Sequence, residues 1–320
     1  MLWDIPVHED YERRCDEVRR RLHLSSGQVV RLYKGLSHAV FEVTLGLAQF
    51  MSHKRSFAVI KGMTPHADPI VAHLLKEAYR KVYAFAHDFS PDEFLLKLEK
   101  DTCFVLIPEE HAVTAEIFPW VDHIEEELNK RKIFAIRISH CAHLYRQRHL
   151  LPYSVRVCSY GPYLAAVFAG ERIRLPQVLS HQMEWRDSIA SVLERSISRQ
   201  ESQFLVENIE TEFFMPLDRF RNGRIFDRAI LHFSDASADA LAKRLGRKLN
   251  LTDEKLRHYF QTPNACYTNA FRQVSSWWQP TPAEDDLRGL LVISVEALQL
   301  PGFVEHLRSA RDELRREQSW

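Results

Sequence analysis

The stretch IFAIRISHCAHLYRQRHLLPYSVRVCSYGPYLAAVFAGERIRLP, residues 133–176, decides how the rest of the chain reads. Two short β-branched runs, 133–138 and 154–157, flank a polar, turn-rich segment, and a third run, 165–168, leads into Gly170-Glu171-Arg172. Short apolar runs bounded by turn residues suit strands buried on both faces, the condition of a mostly parallel sheet. In such sheets the chemistry collects at strand ends.

On the amino side of this stretch, strand-like runs at 29–33, 56–61, 81–86 and 102–107 alternate with helical patterns at 39–51, 69–76, 91–100 and 120–130. That alternation predicts right-handed crossovers and a three-layer α/β domain, its mostly parallel sheet covered on both faces. A charged amphipathic helix at 11–24, with Val18, Leu22 and Leu24 on its apolar side, precedes it. On the carboxyl side, residues 182–210 read as one continuous helix, with Ile189, Val192, Leu193, Ile197, Leu205, Val206 and Ile209 at helical spacing. Beyond it, strands at 229–233 and 289–295 and helices at 236–249, 252–260 and 301–316 predict a smaller α+β domain. The expected division is an N-terminal arm at 1–28, a large domain at 29–181, a linking helix at 182–210 and a small domain at 211–320.

Composition excludes several classes. The formal net charge is zero and acids interleave with bases, so no footprint for nucleic acid is present. No apolar run approaches the ~20 residues that span a membrane. The five cysteines, Cys15, Cys103, Cys141, Cys158 and Cys266, are scattered without a Cys-x-x-Cys spacing and read as reduced. The opening Met1-Leu2-Trp3-Asp4-Ile5-Pro6 has no signal-peptide character, so a cytoplasmic location is the expectation. Only ten glycines are present, which argues against glycine-rich nucleotide loops.

Ser159-Tyr160 followed by Gly170-Glu171-Arg172-Ile173 resembles the cofactor strand of fold-type I pyridoxal-phosphate (PLP) enzymes, the aspartate aminotransferase family, in which Ser-x-x-Lys precedes Gly-x-Arg-x-Gly. The resemblance implies a PLP-transferase-like fold and makes Arg172 the match of the phosphate-binding arginine. Where the family's Schiff-base lysine stands, this chain has Pro162-Tyr163-Leu164-Ala165, and it has no lysine at all between Lys132 and Lys243. The family's aspartate for the pyridine nitrogen is matched by Arg137, a cation that opposes protonation of the ring. The asparagine of its Asn-Pro-Thr-Gly turn is matched by Ala112, in Ala112-Val113-Thr114-Ala115.

Gly35, Ser37 and His38, where a strand gives way to a helix, match the family's phosphate-binding turn; they also suit a plain turn capped by Ser37. With Ala39 the same residues fit a Gly-x-Ser-x-Ala nucleophile elbow, although only one strand precedes it. His66, in Thr64-Pro65-His66, falls where the family has a ring that stacks on the pyridine, or is an exposed loop histidine. His140, Cys141 and His143, with Cys158, invite a metal reading that no second Cys/His pair completes; Ser139 and His140 also suit a loop over the cofactor pocket. Residues 263–269 and 277–280 form a polar, aromatic loop that lines a pocket or covers core, and Arg272 is a candidate for the substrate carboxylate.

These features imply an aminotransferase-like pseudoenzyme, a structural or regulatory homodimer that binds no cofactor, or a heterodimer completing the site of an active homologue. The alternative is an enzyme that holds PLP or another phosphorylated ligand non-covalently. Arg172, the Gly35 turn, His66 and Ser159 then belong to a degenerate pocket, and His140, His143 or His181 serves as general base.

Overall fold

The computed structural model describes residues 9–21, 24, 27–33, 35–60, 81–85, 90–111, 113, 115–139, 150–159, 164–170, 173, 199–213, 228–262 and 288–318. They form two compact units, one of residues 1–109 and 120–196, the other of residues 110–119 and 197–320.

The first unit carries α1 (Glu9–Arg21), β1 (Val29–Tyr33), α2 (Leu36–Phe50), β2 (Ser56–Ile60), β3 (Lys81–Phe85), α3 (Pro91–Lys97), β4 (Thr102–Pro108), α4 (Val121–Lys130), β5 (Phe134–Ser139), β6 (Ser154–Ser159) and β7 (Ala165–Ala169). Its strands make a seven-stranded sheet in the order β1-β7-β6-β5-β4-β2-β3. β3, β2, β4, β5 and β6 pair in parallel, whereas β7 is antiparallel to both β6 and β1. One strand thus runs against all the others. The fold is α/β with a mostly parallel sheet, as the alternation predicts; the helix expected at 69–76 and residues 182–198 of the long helix lie outside the described residues.

Strands β4, β5, β6 and β7 are buried from end to end, which explains their unalternating sequence. On one face, Phe57, Phe104, Ile136, Val155, Val157 and Val167 pack against Val40, Val43 and Leu47 of α2. On the other, Val30, Leu32, Ala166 and Phe168 pack against Tyr11, Cys15 and Val18 of α1. Register places Arg156 opposite Phe168 and Arg137 opposite Arg156, so both arginines share that second face, where α4 runs along β5. The edge strand β1 is closed by a side chain: the Tyr11 hydroxyl donates to Leu32 O at 3.2 Å and accepts from Leu32 N at 3.0 Å. Burial pushes the Tyr11 phenol up and the Cys15 thiol up to about 12, so both stay neutral in this layer.

The second unit carries α5 (Arg199–Phe213), β8 (Arg228–His232), α6 (Ala238–Lys248), α7 (Asp253–Tyr259), β9 (Phe260–Gln261), β10 (Leu290–Ser294), α8 (Val295–Leu298) and α9 (Phe303–Gln318). Its sheet, β8-β10-β9, is antiparallel throughout. Leu231, Ile293, Phe233, Leu241, Leu245, Phe303 and Leu307 share one core. Here too an edge strand is closed by a helix residue: the fully buried Glu210 of α5 accepts from Ile230 N at 2.7 Å. Among the described residues no helix is long and apolar enough to cross a membrane.

Candidate functional site

Strand register assembles one edge of the large sheet. Tyr33 at the end of β1 pairs with Ala165, which pairs with Ser159 at the end of β6; Cys158 pairs with Ser139 of β5, and Ile138 with Pro108 of β4. Tyr33, Ser159, Ser139 and Glu109 therefore stand in a row along the carboxyl ends of the strands, where open α/β sheets bind ligands. From β1 to β6 is two strand spacings, about 10 Å.

Gly35 sits at this edge, between β1 and α2. Its φ of 87° lies in the left-handed region that only glycine enters without strain, and its N–H donates to Tyr33 O at 2.9 Å. It is the N-cap of α2, so no side chain from that position caps the helix, whose fifteen residues bring the positive end of the dipole to the edge. Ser37 is exposed in the first turn. His38 follows it, with Nε2 3.6 Å from Glu42 Oε1 one turn on and its ring perpendicular to that of Tyr33 at 5.7 Å between centroids. Tyr33 has no exposed surface, and among the described residues its hydroxyl has no hydrogen-bond partner.

Of the residues singled out in the sequence, Gly35, Ser37, His38 and Ser159 are brought to one edge, and Ser139 joins them. Arg172, His66, His140, Cys141, His143, His181 and Arg272 lie outside the described residues. The neighbours of Arg172 are at the opposite edge: Gly170 N donates to Ser154 O at 3.3 Å at the start of β6, and Ile173 N to Gly170 O at 3.0 Å. β7 runs against the other strands, so the turn that follows it is about 13 Å from the Gly35 turn at ~3.3 Å per residue. A Cβ on Gly170 would meet Leu151 O at 2.9 Å, so this close-packed turn accounts for the glycine of Gly170-Glu171-Arg172. The resemblance carried by that motif thus has a packing explanation at the edge away from Gly35.

Arg137 does not behave as a lone cation beside a ligand ring. It is buried, and its guanidinium meets Glu109 Oε1 at 2.7 Å, Glu125 Oε2 at 2.5 Å and Asp122 Oδ1 at 3.0 Å. Arg156 Nε is 2.6 Å from the same Glu109 oxygen. Burial alone pulls the Arg137 guanidinium down, but Glu109 and Glu125 outweigh it and hold it charged. Three carboxylates balance the cation that the sequence set against ring protonation. Side-chain alternation carries the signal: residues 135, 137 and 139 face α4, on the side away from Ile136 and Ile138. Sequence reasoning missed Glu109 as the residue that joins the two arginines. Among the described residues no group of histidine, cysteine, aspartate and glutamate is arranged to hold a metal.

Solved structures share this architecture. A NifS-like protein superposes with a TM-score of 0.65 at 12% identity, covering 97% of this chain and 87% of its own. DndA from Streptomyces lividans gives 0.58 at 12% identity, covering 91% of each chain. The cysteine desulfurase of Thermococcus onnurineus NA1, solved in its apo form, gives 0.59 at 10% identity, covering 96% of this chain and 83% of its own. No family model matches the sequence, and no curated protein matches it. The likeness establishes the fold-type I, PLP-transferase-like body. It also corrects the expectation that no cofactor belongs here, because the structures sharing this body include a cysteine desulfurase solved in its apo form.

Proposed function

We propose that the chain is an aminotransferase-like pseudoenzyme that holds pyridoxal phosphate by its phosphate group, without a covalent link to lysine, and works as a homodimer. One juxtaposition carries this reading: the Gly35 turn and Ser159 occupy the same carboxyl edge in a chain without lysine between Lys132 and Lys243. The donor set suits a phosphate. Gly35 turns the main chain so that the head of α2 meets the edge, and Ser37 adds a hydroxyl in the first turn. The dipole end supports an anion by about 0.3–1 kcal/mol. Tyr33, two residues before Gly35, carries a buried hydroxyl with no hydrogen-bond partner among the described residues.

When bound, pyridoxal phosphate supplies a ring that withdraws electrons from an attached amine. The chain's own part is to bind and orient that ring between the α2 head and the ends of β5 and β6. Without an amine after β6, the residues present hold the cofactor reversibly and do not perform lysine-dependent turnover.

Equilibrium dialysis with PLP, pyridoxal and inorganic phosphate tests this. Saturable retention of PLP, competed by phosphate and not shared by pyridoxal, is the expected result, with retention reduced in Ser37→Ala and lost in Gly35→Val. Equal retention of pyridoxal, or retention indifferent to both substitutions, contradicts the phosphate anchor. Light scattering at working concentration reports on the dimer; a monomer removes that part of the proposal.

A further inference from the structure

The ion network beneath the carboxyl edge has no part in holding a phosphate. Arg137 of β5 and Arg156 of β6 are neighbours in register, and both are buried. Their Nε atoms meet one atom, Glu109 Oε1, at 2.7 Å from Arg137 and 2.6 Å from Arg156. Glu109 is itself tied into the ladder: its N–H donates to Ile138 O at 2.9 Å, one residue beyond the last β4 pair, Pro108 with Ile138. A single carboxylate oxygen therefore joins three adjacent parallel strands, β4, β5 and β6. From α4, Glu125 Oε2 at 2.5 Å and Asp122 Oδ1 at 3.0 Å hold the Nη1 end of the Arg137 guanidinium.

Such a network is a poor way to make a sheet stable. Taking two arginines and their carboxylates out of water costs about as much as their attraction returns, and apolar side chains of like volume usually serve as well or better. The other face of these strands takes that apolar course, with Ile136, Val155 and Val157 packed on α2. What an ion network supplies instead is a restricted geometry, because a guanidinium and a carboxylate meet in few orientations. Its place in the sheet says what is restricted. Ser139 stands two residues past Arg137 on the same side of β5, and Ser159 three residues past Arg156 at the end of β6.

We propose that Glu109 is the positioning residue of the carboxyl edge: by holding Arg137 and Arg156 on one oxygen it sets the spacing of the ends of β4, β5 and β6, and so fixes Ser139 and Ser159 before a ligand arrives. The part that concerns a ligand rests on the reading that pyridoxal phosphate lies over the ends of β5 and β6; the part that concerns the strand ends does not. Reach, more than charge, is what the role demands. Glutamine keeps the reach and an oxygen that can accept from two donors, while Glu125 and Asp122 still balance the two guanidinium charges. Aspartate keeps the charge but is one methylene short of the shared position.

Hydrogen exchange on the ligand-free chain and equilibrium dialysis with PLP test this on Glu109→Gln, Glu109→Asp and Glu109→Ala, each held well below its melting midpoint. Protection at the amides of Glu109, Ser139 and Ser159 is expected to fall in the order wild type, Gln, Asp, Ala. PLP retention should follow the same order and weaken several-fold in Glu109→Ala, and so should the induced circular dichroism of bound PLP, which reports how its ring is held. Glu125→Gln is the control for stability alone: it should lower the melting midpoint and leave the edge amides and PLP retention as in the wild type. An Asp variant that equals or exceeds the Gln variant makes charge, not position, the role of Glu109. Edge protection unchanged in Glu109→Ala removes the positioning role, and a Glu125→Gln variant that weakens retention as much as Glu109→Ala assigns the effect to general stability. Each of these overturns the inference and leaves the phosphate site standing. If the wild type retains no PLP, the phosphate reading falls, and the exchange comparison still decides the role of Glu109.

Discussion

The arginine ion pairs of β5 and β6 and those of α9 sit in opposite surroundings. In the first unit, Arg137 and Arg156 lie inside the sheet layer, committed to Glu109 and Glu125. In the second, the cations of α9 lie at the surface: Arg308 meets Glu212, and Arg311 and Arg315 meet Asp235. The difference follows from architecture. A wide sheet covered by helices on both faces has no water at mid-strand, so a charge there must bring its partners. A three-stranded sheet under a peripheral helix leaves its ion pairs wet, where they contribute little. The arginine pairs of β5 and β6 are therefore a structural commitment and those of α9 a surface property, while the second unit keeps its buried carboxylate, Glu210, for a backbone N–H.

The largest effect is expected from Arg137→Ala, which leaves Glu125 without its arginine and Glu109 with Arg156 alone, and should cost roughly 3–5 kcal/mol. Denaturant unfolding measures it. A loss no greater than that of a surface pair would show that the buried network is dispensable.

Next come the edge closures, one in each unit. Glu210→Ala orphans Ile230 N and should cost about 1–3 kcal/mol, with Glu210→Gln recovering part of it. Tyr11→Phe removes both bonds to Leu32 and should cost about 1–2 kcal/mol. Hydrogen exchange at Ile230 and Leu32 locates each loss; protection unchanged at those amides would contradict the closures.

A smaller effect belongs to pH. Burial pushes the Asp235 carboxyl up, but hydrogen bonds from Arg315 and Arg311 outweigh it and hold it below the usual carboxylate value. A depressed carboxyl contributes stability above its unfolded value, about 3.9, and loses it as pH falls through the lower folded value. The second unit should thus weaken on acidification below about pH 4, and Asp235→Asn should flatten that slope. A parallel slope in the variant would assign the acid sensitivity elsewhere. The smallest effect is Arg308→Ala, where a melting midpoint indistinguishable from wild type is expected; a clear drop would blur the contrast between the units.

Much of the fold was legible because buried strands announce themselves as apolar runs: those at 102–107, 133–138 and 154–157 all became strands. Strand direction was not legible. Nothing in Ala165-Ala166-Val167-Phe168 distinguishes an antiparallel strand from a parallel one, so the sequence does not show that Gly170 packs by the start of β6. The two-residue β9 is too short to show a period, and the four-residue α8 hides at the end of an apolar run, visible only through Ser294 accepting from Ala297 N at 3.4 Å. At the candidate site, Gly35, Ser37 and His38 could be found because a glycine between a strand and a helix is a local signal. The pairing of Glu109 with Arg137 and Arg156 could not, because it depends on which strands become neighbours.

The most direct test of a cofactor site without a covalent anchor is borohydride reduction of the PLP-loaded chain, followed by intact and peptide mass measurement. An unmodified chain, with all cofactor released on denaturation, is the predicted result. One pyridoxyl group per chain on a single lysine would contradict it.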